Sequence, residues 1–279
     1  LHLMPTPSLN GRELASFIKQ RQARQVRHLR QAHGITPKLL IITPLDASGP
    51  INAYVRYKQA YAADILVETE VAPTAETDMP GAIDQANNDP HIHGIIVQLP
   101  LNDPSQTDTI VQRISPGKDV DGLSGPQAAY TPATAQAIDW LLAGYNISLD
   151  NKQLAIIGRG RLVGAPLERL WHDRGLTVTV CDRQTPNTTE IIAASDVIVT
   201  ATGQPHLITA DMVKTGAVVV DAGTASEGGV IVGDVDPSVR ERSDVTLTPE
   251  KGGVGPLTIA VMIDHVIQAA QATIESREE

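Results

Sequence analysis

Cysteine is nearly absent from this chain, with a single one, Cys181, among 279 residues. One thiol cannot close an internal disulfide or build a thiolate zinc site, so a disulfide-stapled scaffold is excluded and a reducing compartment, the cytoplasm, is expected. Aromatic residues are scarce as well, at 1 Phe, 2 Trp and 5 Tyr. That leaves the cores to Ala, Val, Ile and Leu and makes a cluster of tyrosines informative. Uninterrupted apolar runs such as Gly94-Ile95-Ile96-Val97 and Ala217-Val218-Val219-Val220 fall far below the roughly 20 residues of a membrane helix, so no membrane partner is expected. Basic residues are in deficit, Lys+Arg 22 against Asp+Glu 32, for a formal charge of −10. Phosphate-backbone binding wants a basic surface, so nucleic acid is not an expected partner. The opening Leu1-His2-Leu3-Met4 lacks the charged and long apolar regions of a signal peptide. It is read as untargeted, with leucine in first place pointing to a trimmed start.

The balance that remains, 42% hydrophobic and 19% charged, is that of a globular protein long enough for one large or two small domains. Apolar runs of strand length alternate with segments of helical period, which predicts an α/β fold with parallel strands. Helices are expected at about 11–32, 52–63, 82–87, 135–143 and 257–276, the last starting behind Pro256 and packing back onto the first half. Strands are expected at 39–43, 65–68 and 94–99, and then at 154–157, 177–181, 197–200 and 218–221. Residues 101–134, with Pro104, Pro116, Pro126 and Pro132, read as a long irregular connection, which is usually functional or a boundary. The expected organisation is a substrate and catalytic domain, 1–134 plus 257–279, and a Rossmann-type, doubly wound dinucleotide-binding domain, 135–256.

Six stretches carry chemistry. The strand Leu154-Ala155-Ile156-Ile157 runs into Gly158-Arg159-Gly160-Arg161-Leu162-Val163-Gly164-Ala165-Pro166 and then a helical segment. Strand, glycine turn and helix start let a backbone approach a pyrophosphate and offer it free N–H groups. Val163 stands where the common G-x-G-x-x-G pattern has its third glycine, which here is Gly164. About 20 residues on, Asp182 and Arg183 end the next strand: the carboxylate suits the 2′-hydroxyl of NAD, the arginine the 2′-phosphate of NADP. Arg159 is a second candidate for that phosphate, so NADP is favoured and NAD stays possible; a solvated strand end is the bland alternative.

Tyr54, Lys58 and Tyr61 lie at i, i+4 and i+7 of one helix face. A lysine between aromatic rings suits a flat heteroaromatic ligand and has a pKa free to fall. The same residues could instead be core filler with a snorkelling lysine. Gln98 closes the strand at Val97, at the end where open α/β sheets bind ligands, and Lys118-Asp119-Val120-Asp121-Gly122 lies in the irregular stretch. Gly252-Gly253-Val254-Gly255-Pro256-Leu257-Thr258 is a second glycine-rich loop entering a helix. His91 and His93 share a strand face by period but lack a third ligand, so no metal is expected. Cys181 reads as a buried small hydrophobe.

Taken in order, Tyr54-Val55-Arg56-Tyr57-Lys58, Val97-Gln98-Leu99-Pro100-Leu101, Lys118 to Gly122, Gly158 to Pro166 and Gly252 to Pro256 resemble the bifunctional methylenetetrahydrofolate dehydrogenase/cyclohydrolase family over about residues 40–265. The resemblance implies oxidation of 5,10-methylenetetrahydrofolate with NADP, hydrolysis of the product to 10-formyltetrahydrofolate, a cleft between two domains, and a homodimer. It implies that Tyr54 stacks on the folate ring, Lys58 is the main catalytic group, Gln98 hydrogen-bonds it and Asp121 holds the pterin. Leu99, Pro100, Gly253, Pro256 and Thr258 would also line the substrate. Gly158, Arg159, Gly160, Val163, Gly164, Pro166, Asp182, Arg183, Thr202, Gly203, Gly223 and Thr224 would surround the cofactor.

The departures fall mostly near the nucleotide. Gly160 stands where the family has serine, Asp182-Arg183 replaces His-Ser, Ala222-Gly223-Thr224-Ala225 replaces Val-Gly-Ile-Asn and Lys251 replaces proline. On the tyrosine helix, Ile51 replaces a serine and Ala60 the second lysine. Two alternatives are therefore kept: an enzyme of the same fold with one activity weakened or NAD as oxidant, and a catalytically silent folate- or nucleotide-binding protein.

Overall fold

The computed structural model of the chain describes residues 8–227 and 230–278; Leu1-His2-Leu3-Met4 lies outside them. In chain order the elements are α1 Gly11–His33, β1 Lys38–Pro44, α2 Gly49–Asp64, β2 Glu68–Thr74, α3 Met79–Asn88, β3 Gly94–Val97, α4 Thr107–Val111, α5 Ala133–Gly144, β4 Leu154–Ile157 and α6 Gly164–Asp173. They continue with β5 Val178–Cys181, α7 Thr188–Ala194, β6 Val197–Thr200, β7 Val218–Asp221, β8 Ala225–Glu227, β9 Val230–Val232, α8 Pro237–Arg240, β10 Thr246–Leu247 and α9 Val254–Glu278. Two compact units form, one from Ser16–Ala133 with the chain from Ile259 onward, the other from Thr134–Thr258 with the chain up to Ala15.

In the first unit, β1 pairs in parallel with β2 on one side and β3 on the other. The run Leu39 to Ile42 is buried because both faces of β1 are covered. Asp119 adds a parallel bridge to Ile95, bringing the irregular stretch alongside β3. Gly94 is needed there, since a Cβ at that position would lie 2.9 Å from methyl carbons of both Val120 and Val266. From Ile259 onward α9 is tied to α1 and to the 120 loop: Gln22 Nε2 donates to Ala260 O (2.8 Å), Arg21 pairs with Asp264 (2.6 Å) and His265 Nδ1 meets Val120 O (2.8 Å).

The second unit holds a parallel sheet in the order β10-β7-β6-β4-β5. Its first strand, β4, lies between β5 and β6, so the connections leave in opposite directions and the topological switch falls between β4 and β6. The N-terminal segment joins this unit through Leu9 N–H to Leu247 O (3.0 Å), Arg12 N–H to Gly252 O (2.9 Å) and Asn10 N–H to Tyr145 Oη (3.0 Å). An antiparallel hairpin, β8–β9, lies outside the parallel sheet.

Several expectations are corrected. The strand expected at 65–68 is β2 at 68–74, because Ile65-Leu66-Val67 instead ends α2. Leu66 takes a left-handed φ of 64°, and the amides of Leu66 and Val67 return to Ala63 O and Ala62 O, the double bond of a Schellman cap. His91 is in a turn before β3, with its N–H on Asp89 Oδ1 (2.8 Å), while His93 is buried and its Nδ1 accepts from Lys38 N (3.2 Å), so the two do not share a strand face. The strand expected at 94–99 stops at Val97, and the Leu99–Pro100 peptide is cis. Residues 101–134 hold α4 and the 3-10 turns Pro104–Gln106 and Pro116–Lys118 rather than irregular chain alone. Helix α9 begins at Val254, before Pro256, since a proline in the first turn forfeits only an N–H that has no partner inside the helix. Among the described residues this helix alone is long and apolar enough to cross a membrane, although polar residues interrupt its apolar run. It is mostly buried, with Asp264 and His265 in its middle, as a core helix would be.

Candidate functional site

Helix α2 presents Tyr54 and Lys58 one turn apart, on a face neighbouring the buried stripe of Ile51, Val55 and Ala62. Lys58 Nζ donates to Gln98 Oε1, and Gln98 Nε2 donates to Leu99 O (3.1 Å), which fixes the amide's orientation. Gln98 itself is held by its N–H on Ile42 O (2.8 Å), at the carboxyl ends of β1 and β3. Burial pulls the Lys58 ammonium below its ordinary value, with the nearby Asp121 charge opposing. Burial likewise pushes the Asp121 carboxyl up to about 6, Lys58 restraining the rise and Asp119 adding to it. The Tyr54 phenol is also raised by burial. Lys58, Gln98 and Asp121 thus form one constellation with Tyr54 beside it.

Tyr61 belongs elsewhere. Its hydroxyl donates to Gln22 Oε1 (2.8 Å) and Lys19 lies over its ring at 4.7 Å, so it fastens α2 to α1 and does not serve the lysine. The loop that carries Asp121 is braced from both sides. The buried Asp119 accepts from Gly122 N (3.0 Å) and Ser124 N (2.8 Å), and Ala133 N–H donates to Asp121 O (3.1 Å). His265 holds Val120 O while stacking on Tyr130 at 4.6 Å. Lys118 is not part of the site: its ammonium caps α3, donating to Ala86 O (2.9 Å) and Asp89 O (2.7 Å). Leu101 is buried, Leu99 half-buried and Pro100 exposed along the strand exit.

In the other unit the glycine turn sits at the switch point. Gly158 has φ 102°, and a Cβ there would come within 2.6 Å of Ala201 O on the neighbouring strand's exit. At Gly164 a Cβ would fall 1.8 Å from Gly158 O, so α6 packs on the turn as the third glycine of the usual pattern permits, one residue later. Gly160 is different, with nothing within 4 Å of where a Cβ would stand. Val163 precedes α6 without a side-chain cap, leaving the helix start to other acceptors, and Pro166 is buried in its first turn. At the start of α6 Ala165 N–H already donates to Gly160 O (3.1 Å) and Pro166 has no N–H, so the fit to a dinucleotide's pyrophosphate rests on the open space at Gly160 and the positive end of the helix.

Asp182 accepts from Gln184 N (2.9 Å) and Thr185 Oγ1 (3.1 Å). These bonds hold its carboxyl below the ordinary range, with a smaller contribution from Arg159 nearby. Arg183 is exposed, and Arg159 is paired with Glu168 on α6 at 2.8 Å. Cys181 is buried, its thiol raised by that burial.

The exits of β6 and β7 carry Thr202, Gly203, Gly223 and Thr224, and two carboxylates absent from the expected set hold Thr202 and Gly223. Asp234 accepts from Thr200 Oγ1 (2.7 Å), Thr202 N (2.6 Å) and Thr202 Oγ1 (2.9 Å). Asp221 accepts from Gly223 N (3.0 Å), Asp234 N (3.0 Å) and Val235 N (3.1 Å), and is raised by burial. Each carboxylate occupies the place of a Cβ at a glycine: Asp234 at Gly223 and Asp221 at Gly233, both at 2.1 Å. Nothing in the sequence separates these aspartates from solvated ones, since the pairing depends on the hairpin between them. In the late loop, Gly252 takes φ 88° and Gly253 is buried. Pro256 is half-buried, and Thr258 Oγ1 donates to Val254 O (3.2 Å) within α9.

Comparison with known proteins also finds two domains, but assigns residues 9–15 and 259–274 to the opposite domain from the one they pack with here. Residues 9–121 match the tetrahydrofolate dehydrogenase/cyclohydrolase catalytic domain, and residues 132–274 the NAD(P)-binding domain of the same family. A bifunctional protein FolD of Lactobacillus helveticus is 38% identical over 273 residues, covering 93% of this chain and 96% of the relative. The protein of that name from Bacillus subtilis is 34% identical over 97% of this chain and 100% of its own. Among solved structures, the Campylobacter jejuni methylenetetrahydrofolate dehydrogenase/cyclohydrolase superposes with TM-score 0.89 at 31% identity, covering 96% of this chain and 99% of that one. The Trypanosoma brucei enzyme, solved with NADP and an inhibitor, gives 0.88 at 28% identity, covering 97% and 99%. With both of its domains matched and full-length relatives above 30% identity, the chain belongs to the tetrahydrofolate dehydrogenase/cyclohydrolase family.

Proposed function

We propose that this protein oxidises 5,10-methylenetetrahydrofolate with NADP to the methenyl form and hydrolyses that to 10-formyltetrahydrofolate, a step pair of one-carbon metabolism. The observation that carries this reading is the Lys58–Gln98–Asp121 constellation, with its opposed pKa shifts, inside the unit that matches the family's catalytic domain. Loss of hydride from the methylene carbon leaves positive charge spread over the folate N–C–N unit. A lysine whose ammonium form is disfavoured by burial competes less with that developing charge than a solvated one would. In hydrolysis the same amine can take a proton from attacking water or hydrogen-bond the tetrahedral oxygen, its position set by Gln98 Oε1. Asp121 offers acceptor oxygens to a pterin's N–H groups, and the Tyr54 ring gives the folate a face to stack on.

NADP, when bound, supplies the hydride acceptor. On this side Gly158, Gly160 and Gly164 admit the pyrophosphate at the start of α6, with Val163 and Pro166 shaping that start. Thr202, Gly203, Gly223 and Thr224 line the neighbouring strand exits, and Arg159 and Arg183 supply positive charge for the 2′-phosphate. NAD as oxidant is the second reading, favoured by the retained Asp182 and by the engagement of Arg159 with Glu168. A cytoplasmic homodimer completes the proposal, supported by the lone buried thiol and by the family resemblance. Two absorbance assays test the activity. NADPH formation from methylenetetrahydrofolate and decay of the methenyl chromophore should both be seen; binding without either signal would make the protein a silent folate or nucleotide binder.

Cofactor choice has its own test. A charge-assisted contact contributes about 1.5–3 kcal/mol when well sheltered and closer to 1 when exposed. Combining Arg159→Ala with Arg183→Ala is therefore expected to raise KM for NADP by roughly tenfold or more and to leave that for NAD nearly unchanged. Equal rises for the two oxidants in steady-state kinetics would show that these arginines do not read the phosphate.

A further inference from the structure

The glycine turn places Arg159 against a residue that neither the fold nor the proposed chemistry calls for. Glu168 lies on α6, four residues beyond Gly164, and its Oε1 accepts from Arg159 Nη2 at 2.8 Å. The arginine side chain is 52% exposed, the glutamate only 22%. Glu168 is thus the anchored partner and Arg159 the one free to swing. The carboxyl of Asp182, held by Gln184 N and Thr185 Oγ1, is near enough to feel the Arg159 charge weakly. Arg159 is therefore engaged by Glu168 before any ligand arrives, with a second carboxylate in the neighbourhood. A 2′-phosphate seeking it must either displace it from Glu168 or accept a carboxylate beside its own negative charge, and both cost affinity. A 2′-hydroxyl meets neither cost.

From this geometry we propose that Glu168 is a cofactor-selectivity residue, which holds the Arg159 guanidinium away from a 2′-phosphate and so narrows the preference for the phosphorylated dinucleotide over its unphosphorylated counterpart. The proposal rests on the dinucleotide reading of this unit. It accounts for how a turn rich in arginine can coexist with Asp182: the excess positive charge is offset within the turn and α6.

Equilibrium binding tests it without turnover, using two probes that differ only in the group at issue, adenosine 2′,5′-bisphosphate and 5′-AMP, titrated calorimetrically into the full chain. Glu168→Gln should tighten the bisphosphate about fivefold, the size of an exposed ion pair, and leave 5′-AMP within twofold. In an Arg159→Ala background the same substitution should have no effect on the ratio, because Glu168 acts through the arginine. An unchanged ratio in Glu168→Gln overturns the proposal, as does a weakened bisphosphate, which would make Glu168 a support that aims Arg159 at the phosphate. Failure of the unsubstituted chain to bind either nucleotide overturns the dinucleotide reading itself and the proposal with it.

Discussion

Lys58→Met is expected to abolish hydrolysis of methenyltetrahydrofolate, lowering its rate by roughly the 10²–10⁴-fold that a positioned proton-transfer group contributes, while the protein stays folded. Methionine keeps the length and apolar stem of lysine but offers Gln98 Oε1 no donor and the attacking water no base. The lysine stem lies on the half-buried face of α2, where the thioether can replace it without opening a cavity. The ammonium is also disfavoured there by burial, so its removal relieves one desolvated charge. Circular dichroism and calorimetric binding of NADP should match the unsubstituted protein, and the loss should appear in the decay of the methenyl chromophore. Full cyclohydrolase activity in this variant would sink the assignment of Lys58. The pH dependence carries a second signature. Because burial lowers the Lys58 pKa, its amine form is depleted as pH falls, so hydrolysis should decline toward acid in the unsubstituted protein; Lys58→Met should show no such limb in whatever activity is left.

Much of the chemistry was legible in the sequence because it sits on regular elements whose geometry follows from spacing. Tyr54 and Lys58 are one helical turn apart, Gln98 follows a strand of continuous Ile and Val, and Gly158 follows another. Helix and strand periods place such residues without tertiary information. What escaped depends on contacts between distant segments. Tyr61 shares the spacing of Tyr54 and Lys58, yet its hydroxyl is taken by Gln22 of α1, a partner that no local pattern specifies. Leu66 looks like strand and is a helix cap, since a left-handed φ in a leucine is imposed by the amides returning to Ala62 and Ala63. Asp234 and Asp221 could not be separated from surface aspartates, because their role exists only once the hairpin β8–β9 returns the chain to the exits of β6 and β7. The Arg159–Glu168 pair spans nine residues across a turn and a helix start, and the turn's conformation, not the spacing, decides whether the two side chains meet.

Asp121→Asn should separate substrate binding from stability, with opposite signs. A pterin edge presents neighbouring N–H donors, and a carboxylate can accept from two of them at once. The amide keeps one acceptor and places a donor where the other stood. Leaving a buried donor facing a donor costs on the order of 1–3 kcal/mol, so folate affinity should fall by about 10- to 100-fold while NADP binding, in the other unit, stays within twofold. Equal losses for both ligands would mean that Asp121 only holds its loop together. Stability should move the other way. The Asp121 carboxyl is raised to about 6 in the folded chain, chiefly by burial, against roughly 3.9 in an unfolded one. A raised folded pKa means that the protonated form is the one the fold favours. Its stabilising contribution is complete below the unfolded value and is lost as pH rises through about 6. Above that pH the ionised carboxylate destabilises the protein by at most about 3 kcal/mol, the free energy of a two-unit shift. The substituted amide carries no such charge at any of these pH values. The thermal midpoint of Asp121→Asn should therefore exceed that of the unsubstituted protein at pH 8 and coincide with it near pH 4. Calorimetric scans at the two pH values check this, and a variant less stable at pH 8 would show that the Asp121 charge, held against Lys58, supports the fold instead of burdening it.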